Sequence, residues 1–174
     1  MKNIVLIGFM GTGKTSAGKL LANKLGYSFI DTDSKIEAEN QMSIADMFVQ
    51  HGEIYFRNKE VELIRRVSKF SSAVISTGGG VVLKKENLMA LKENSIIITL
   101  TADVDVILER TSRRKNTRPL LNQNDKRKKI IDLLNDRAHL YKQSECIIDT
   151  SLLSPLQVVD EIIKFLKRGD ELRA

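Results

Sequence analysis

The segment at residues 8–15 constrains the fold and the function of this chain more than any other feature. It reads Gly-Phe-Met-Gly-Thr-Gly-Lys-Thr and matches the pattern G-x-x-x-x-G-K-[ST] at every fixed position. A short apolar run at residues 3–7 precedes it, and a helix-forming pattern at residues 15–25 follows it. This order predicts a loop whose backbone N–H groups surround a phosphate, with a helix N-terminus adding positive potential. We therefore expect a nucleotide phosphate site here.

The side chains of this loop predict a division of tasks. The Lys14 ammonium is expected to reach the β- and γ-phosphates, and the Thr15 hydroxyl is expected to ligate Mg²⁺. The residues expected to bind the nucleotide in this segment are Gly11, Thr12, Gly13, Lys14, Thr15 and Ser16.

Alternating strand and helix patterns predict the fold class. Apolar runs typical of buried strands occur at residues 3–7, 27–30, 72–76, 95–100 and 145–149. Helical patterns occur at residues 15–25, 34–40, 43–50, 53–69, 87–92, 104–112, 125–143 and 155–167. Such alternation predicts a three-layer α/β fold, in which helices cover both faces of a five-stranded parallel sheet. We expect one domain over residues 1–174, with a mobile lid at about 112–125.

Composition narrows the function classes. The 174 residues carry 28 Lys+Arg against 22 Asp+Glu, a net charge of +6 that suits nucleic acid and a small anion equally. Three Tyr, six Phe and no Trp disfavour an RNA-stacking surface. A lone cysteine, Cys146, forms no internal disulfide, and no apolar run is long enough to cross a bilayer. We expect a cytoplasmic monomer that acts on small molecules, with neither nucleic acid nor a membrane as partner.

Two further groups of polar and glycine residues follow the second and third predicted strands. Asp31 and Asp33 close the second strand, and Gly78-Gly79-Gly80 follows the third. Ligands of open α/β sheets bind at the carboxyl ends of strands, so both groups are expected to face the phosphate loop. One carboxylate can hold a hydrated metal while the other accepts a hydrogen bond or a proton from a substrate hydroxyl. An N-cap role for Asp33 in the next helix is an equal alternative.

Taken in order, these residues resemble the shikimate kinases, which belong to the nucleoside-monophosphate-kinase-like group of P-loop proteins. The resemblance runs from about residue 4 to residue 155. The matching segments are residues 8–15, Asp31-Thr32-Asp33, residues 43–48, Gly52-Glu53, Phe56-Arg57 with Glu60, Gly78-Gly79-Gly80, Arg118-Pro119-Leu120-Leu121, and Arg137 with Leu140-Tyr141. The resemblance implies transfer of the γ-phosphate of ATP to the 3-hydroxyl of shikimate, with Mg²⁺ as cofactor, in aromatic amino acid biosynthesis.

The resemblance also implies roles for residues outside the phosphate loop. The residues that would bind shikimate are Asp33, Arg57, Gly78, Gly79, Gly80 and Arg137, with acceptor-binding helices at about 33–61. Two guanidinium forks can clamp a carboxylate, and Glu60, three residues after Arg57, is expected to orient one of them. Asp33 is the best candidate for a general base.

The family resemblance also implies which residues bind the nucleotide. The basic insert at about 112–125 would be a lid, whose Arg118 stabilises charge during transfer as a third catalytic residue beside Lys14 and Asp33. Arg110 and Pro155 would enclose the adenine. Asp31, with the serine of the third strand, would hold the water shell of the metal.

Two alternatives stay open at this point. Another small-molecule kinase of the same architecture, acting on gluconate or a nucleoside monophosphate, would share the phosphate loop. A nucleobase acceptor, however, favours an aromatic or amide side chain where this chain offers arginines, aspartate and glycines. A nucleotide-dependent switch that binds RNA through the basic insert would show steeply salt-dependent binding and no phosphorylation.

Overall fold

A computed structural model describes residues 1–112 and 126–168. The strands are β1 Asn3–Ile7, β2 Ser28–Asp31, β3 Ala73–Ser76, β4 Ser95–Thr101 and β5 Cys146–Asp149. They form one parallel sheet in the order β2-β3-β1-β4-β5. The central strand β1 pairs with both inner neighbours, so that Val5 lies opposite Ile75 on one side and Ile97 on the other.

Helices connect these strands across both faces of the sheet. In the described residues they are α1 Lys14–Leu25, α2 Thr32–Asn40, α3 Ile44–Val67, α4 Lys85–Glu93, α5 Val104–Ser112, α6 Lys126–Tyr141 and α7 Pro155–Arg168. A short 3-10 helix, Val81–Leu83, precedes α4. The strand and helix patterns in the sequence therefore predicted the three-layer α/β class correctly.

Two apolar cores lie on opposite sides of the sheet, as the alternation within β1 requires. Val5 and Ile7 face one core, whereas Ile4 and Leu6 face the other. Helices α3, α4 and α6 close the first core, and α1 and α7 close the second. Both faces of β1 are fully buried, which explains its unbroken apolar sequence. No helix of the described residues is both long enough and apolar enough to span a membrane.

The structure differs from the predicted elements at two positions that matter for the site. The helices predicted at 43–50 and 53–69 join into α3, with one non-helical residue, Gly52, at φ 79° and ψ 171°. Strand β2 extends to Asp31, whose carboxylate accepts a hydrogen bond from the backbone N–H of Ser34. Asp31 is therefore the N-cap of α2, and the capping alternative for Asp33 is wrong. Asp33 lies inside the first turn of α2, and its Oδ1 lies beside Gly78.

Candidate active site

The phosphate loop closes around the side chain of Lys14. Lys14 is 7% exposed, and its ammonium donates to the carbonyl oxygens of Gly8 at 2.8 Å and Phe9 at 2.7 Å. The Thr12 hydroxyl also donates to the Phe9 oxygen, at 2.8 Å. Gly13 is the N-cap of α1 in a left-handed conformation, φ 93°. A buried positive charge thus lies at the amino end of a helix, where a phosphate group would be stabilised.

The two predicted metal-binding residues lie together beside this loop. The Thr15 hydroxyl donates to Asp31 Oδ2 at 2.8 Å, and the Ser76 hydroxyl lies 3.5 Å from the Thr15 hydroxyl. Ser16 follows in the first turn of α1 with an exposed side chain. The oxygen ligands fit Mg²⁺, which binds through one or two carboxylates, water and phosphate oxygens. Over residues 1–112 and 126–168, no group of three or more His, Cys, Asp or Glu side chains could hold a metal ion.

Arg57 of α3 is buried between two carboxylates. Arg57 is 8% exposed, and its guanidinium donates to Glu60 at 3.0 Å. Its Nε and the other terminal nitrogen both donate to Glu53 Oε1 at 3.2 Å. Glu60 is buried at 1% exposed, whereas the Glu53 side chain is largely exposed. The predicted orienting role of Glu60 agrees with this contact, in which a buried carboxylate fixes one edge of the guanidinium.

The pKa of the Glu60 carboxyl shows which charged side chains lie near it. Burial raises the pKa of the Glu60 carboxyl from 4.5 to about 7, even though the adjacent Arg57 lowers it. The charge of Asp33 raises the same pKa further, and that of Arg137 lowers it. Residues from α2, α3 and α6 therefore surround one buried carboxyl group.

The triple glycine allows the acceptor-side residues to approach one another. A Cβ atom added at Gly80 would lie 2.4 Å from a terminal nitrogen of Arg57. One added at Gly78 would lie 2.5 Å from Asp33 Oδ1. Both distances are shorter than real Cβ contacts, so any other residue at these two positions would displace a predicted substrate-binding side chain.

Helix α6 supplies the second arginine. Arg137 is 6% exposed, donates to the Gly79 carbonyl at 3.4 Å and lies 6.0 Å above the centre of the Phe9 ring. The Tyr141 hydroxyl donates to the same carbonyl at 2.6 Å. Burial raises the pKa of Tyr141, and Arg137 and Arg57 oppose this shift, which places both guanidinium groups near the phenol. Through Phe9, the acceptor pocket adjoins the phosphate loop.

The predicted adenine-binding residues lie at the other end of the cleft. Arg110 donates to the Gly11 carbonyl at 3.3 Å and to Thr150, at 3.0 Å to the hydroxyl and 2.9 Å to the carbonyl. Pro155 begins α7 five residues after Thr150, and its side chain is exposed. The predicted lid at about 112–125 lies outside the described residues except for its first position. Arg118 lies wholly outside them.

The sequence analysis assigned no role to three residues that the structure places at the site: Glu53 and Tyr141, which appeared only within matching segments, and Thr150. Glu53 precedes Arg57 by four positions, a helical spacing that could have identified it as a second partner. Tyr141 matches the apolar face of its helix, and nothing in the sequence indicates that its hydroxyl reaches Gly79. Thr150 follows an ordinary short strand and carries no sequence signal at all.

Comparison with known proteins decides the family. The family model described as shikimate kinase matches residues 10–167. The chain belongs to the shikimate kinase family. A shikimate kinase of Pelotomaculum thermopropionicum is 49% identical over 167 residues, covering 96% of each chain. One from Caldicellulosiruptor bescii is 50% identical over 163 residues, covering 94% of each chain.

Solved structures of the family agree with this assignment. A shikimate kinase from Acinetobacter baumannii superposes with a TM-score of 0.93 at 32% identity, covering 97% of this chain and 94% of the other. A gluconokinase from Sinorhizobium meliloti, 19% identical with a TM-score of 0.60, shares the fold alone. Membership in the shikimate kinase family makes this chain an ATP-dependent phosphotransferase, and the resemblance found in the sequence is confirmed.

Proposed function

We propose that this cleft transfers the γ-phosphate of ATP to the 3-hydroxyl of shikimate, giving shikimate 3-phosphate and ADP. The observation that carries this proposal is the pair of buried arginines, Arg57 and Arg137, which lie against the triple glycine beside the phosphate loop. Two guanidinium groups at one pocket favour a small carboxylate as ligand. The related enzyme from Acinetobacter baumannii was solved in complex with shikimate, which supports the same acceptor here.

The phosphate side supplies charge neutralisation. On ATP binding, the Lys14 ammonium exchanges its contacts with the Gly8 and Phe9 carbonyls for oxygens of the β- and γ-phosphates. Thr15 and, through water, Asp31, which bond to one another, would hold Mg²⁺. When bound, the ion neutralises charge on the phosphates and orients the γ-phosphoryl group. The backbone of Gly11, Thr12 and Gly13 and the side chain of Ser16 complete the binding of the nucleotide.

The acceptor side orients the hydroxyl. Arg57 and Arg137 bind the shikimate carboxylate, and the backbone of the triple glycine lines the ring. Asp33 accepts a hydrogen bond from the 3-hydroxyl, either as a general base or as an orienting group. The hydroxyl oxygen forms a bond to the γ-phosphorus while the bond from that phosphorus to the bridging oxygen breaks. ADP leaves with the electron pair, and the hydroxyl proton passes to Asp33 or to water.

The remaining parts of the proposal concern adenine binding, the domain organisation and the state of the enzyme in the cell. Arg110 stacks on the adenine with Pro155 opposite, and Arg118 of the lid stabilises charge on the transferred group. The residues of the acceptor helices, at about 33–61, are proposed to be one part of a single kinase domain over residues 1–174. The enzyme is proposed to act as a cytoplasmic monomer on small molecules.

Acceptor selectivity tests the proposal directly. ADP release from Mg·ATP is measured with shikimate, gluconate and nucleoside monophosphates in parallel, and the phosphorylated product is identified by ³¹P NMR. Strong stimulation by shikimate alone is expected. Stimulation by gluconate or a nucleoside monophosphate, without stimulation by shikimate, would overturn the acceptor assignment while leaving the phosphate site intact. Salt-sensitive binding of RNA without any phosphorylated product would overturn the kinase assignment itself.

A further inference from the structure

Thr150 lies where three elements of the nucleotide side meet. It follows directly after β5 and is buried, at 1% exposed. Its hydroxyl oxygen lies 2.9 Å from the Thr12 carbonyl of the phosphate loop and 3.0 Å from the Thr101 carbonyl at the end of β4. A terminal nitrogen of Arg110, from α5, lies 3.0 Å away. One hydroxyl group therefore contacts the phosphate loop, the sheet and the predicted adenine-binding arginine.

Hydrogen-bond accounting shows what this hydroxyl does. A threonine hydroxyl donates one proton and accepts through its lone pairs, whereas a guanidinium only donates. The Thr150 oxygen must accept from Arg110, so its own proton goes to one of the two carbonyls. The Thr101 carbonyl already accepts from the backbone N–H of Thr150 at 2.8 Å. The Thr12 carbonyl is therefore the acceptor that gains most from the hydroxyl proton.

Thr150 holds Arg110 by two bonds rather than one. The second terminal nitrogen of Arg110 donates to the Thr150 carbonyl at 2.9 Å, so the fork of the guanidinium grips one residue. Arg110 also donates to the Gly11 carbonyl at 3.3 Å. A Cβ atom added at Gly11 would lie 3.0 Å from the Thr111 side chain, which shows how closely α5 packs on the loop. The plane of the guanidinium is thereby fixed relative to the phosphate loop.

We propose that Thr150 is a positioning residue for ATP. Its hydroxyl fixes the Arg110 guanidinium and the Thr12 carbonyl relative to one another. The residue that binds the base and the loop that binds the phosphates are therefore already aligned before ATP binds. The inference rests on the proposed function in one respect, namely that Arg110 contacts the adenine. It goes beyond that function because it assigns nucleotide affinity to a residue that is buried behind the contact surface.

An isosteric substitution isolates the hydroxyl. Thr150→Val keeps the shape of the side chain and removes both hydrogen bonds. We expect the KM for ATP and the dissociation constant for ADP to rise about tenfold, the effect of losing one buried hydrogen bond to a charged group. The KM for shikimate is expected to change less than about twofold, because the hydrogen bonds of Thr150 to the described residues all lie on the nucleotide side. Thr150→Ser keeps the hydroxyl and is expected to restore both constants.

Thr101→Val provides the matched control. This substitution also removes a threonine hydroxyl at the end of a strand, but the Thr101 hydroxyl contacts only the Ile148 carbonyl, at 3.5 Å, among the described residues. Its nucleotide constants are expected to equal those of the wild type. A double-mutant cycle with Arg110→Ala tests the route. If Thr150 acts through Arg110, Thr150→Val raises the ADP dissociation constant much less in the Arg110→Ala background than in the wild type.

Several results would overturn the proposal. These are an ADP dissociation constant within about twofold of wild type in Thr150→Val, an equal loss in Thr150→Ser, or full additivity with Arg110→Ala. If Thr150→Val does not fold, Thr150→Ala takes its place in the same calorimetric titration. Because ADP binding needs no acceptor, these outcomes are independent of the substrate assignment. A wild-type protein that binds ADP yet leaves shikimate unphosphorylated contradicts the proposed function and not the role of Thr150.

Discussion

The two ends of the cleft are built in opposite ways. At the phosphate end, the side chain of Lys14 donates to carbonyls five and six residues before it, so these contacts lie within one short segment of chain. At the acceptor end, charged side chains from α2, α3 and α6 meet over the triple glycine, and the bond from Tyr141 to Gly79 spans 62 residues of chain. The first site is a local structure, whereas the second exists only in the completed fold.

Because of this difference, we expect substrate affinity and stability to be coupled at the acceptor end more than at the phosphate end. Loss of the Lys14 side chain removes hydrogen bonds to two neutral carbonyl groups of the loop. Loss of one partner of a buried ion pair such as Arg57–Glu60 instead leaves the other charge buried and uncompensated. We therefore expect Lys14→Ala to change turnover more than stability. Substitutions at the acceptor end should change both substrate affinity and the free energy of unfolding.

The largest effect is expected at Lys14. Lys14→Ala removes the ammonium that stabilises charge on the phosphates, so kcat is expected to fall at least about 10²–10³-fold, as for loss of one transition-state donor. The melting temperature should fall less than in a variant that breaks the buried Arg57–Glu60 pair. Steady-state kinetics and thermal unfolding check both statements, with the exposed Lys19 of the same helix replaced by alanine as control. A variant with unchanged kcat would remove Lys14 from the mechanism.

The next effect is expected at Arg57. Arg57→Ala should raise the KM for shikimate about a hundredfold and lower the free energy of unfolding by about 3 kcal/mol, because Glu60 loses its buried partner. Arg65→Ala, in the same helix, breaks an exposed pair with Glu86 and should cost less than about 1 kcal/mol. Denaturant unfolding and initial rates separate the two variants. Equal losses in both variants would show that burial does not distinguish the two ion pairs.

A smaller effect on the KM for shikimate is expected at Gly80, and Gly79 serves for comparison. Gly80→Ala places a Cβ atom 2.4 Å from Arg57 and should raise the KM for shikimate about tenfold by displacing the guanidinium. At Gly79 the added Cβ has its first neighbour at 3.4 Å, so Gly79→Ala should leave the melting temperature nearly unchanged and serves as the folding control. The account is contradicted if Gly79→Ala destabilises the protein more than Gly80→Ala does.

The smallest effect concerns pH. The pKa of Glu60 is raised from 4.5 to about 7, so the folded protein holds a proton there that the unfolded chain has released. The resulting stabilisation is fully present below about pH 4.5 and is lost as pH rises through about 7. Glu60→Gln removes this titration, so its free energy of unfolding should fall less than that of the wild type between about pH 5 and pH 8. The exposed Glu62, replaced by glutamine, is the control, and identical pH profiles for Glu60→Gln and wild type would refute the assignment.

The contrast between the two ends also explains how far the sequence could predict the molecule. The phosphate loop is a contiguous motif, so the loop and the helix after it were accessible from sequence. Asp31, which bonds to Thr15, was expected to face the loop from the end of β2, and its metal role came from family resemblance. The five strands were visible as apolar runs, although the end of β2 was predicted one residue early. That single residue decides the N-cap, because Asp31 adopts the extended conformation and Asp33 the helical one.

Side-chain contacts over long sequence separations were not accessible. Arg57 and Arg137 entered the prediction through family resemblance, since a lone helical arginine is ordinarily a solvated one. The hydroxyls of Tyr141 and Thr150 bond to backbone groups 62 and 138 residues away, and no local pattern encodes such partners. The sequence could predict that Gly78 and Gly80 allow close approach of other groups. It could not predict which side chains approach them.

Recognition of the shikimate carboxylate by the buried arginines is the central claim, and one comparison of substrates tests it. The measurement is kcat/KM for shikimate and for its uncharged methyl ester, in the wild type and in Arg57→Ala. The account predicts that the wild type prefers the acid by about a hundredfold and that Arg57→Ala loses most of this preference. An acid-to-ester ratio that is the same in both proteins would contradict the account, because the carboxylate would then be bound elsewhere.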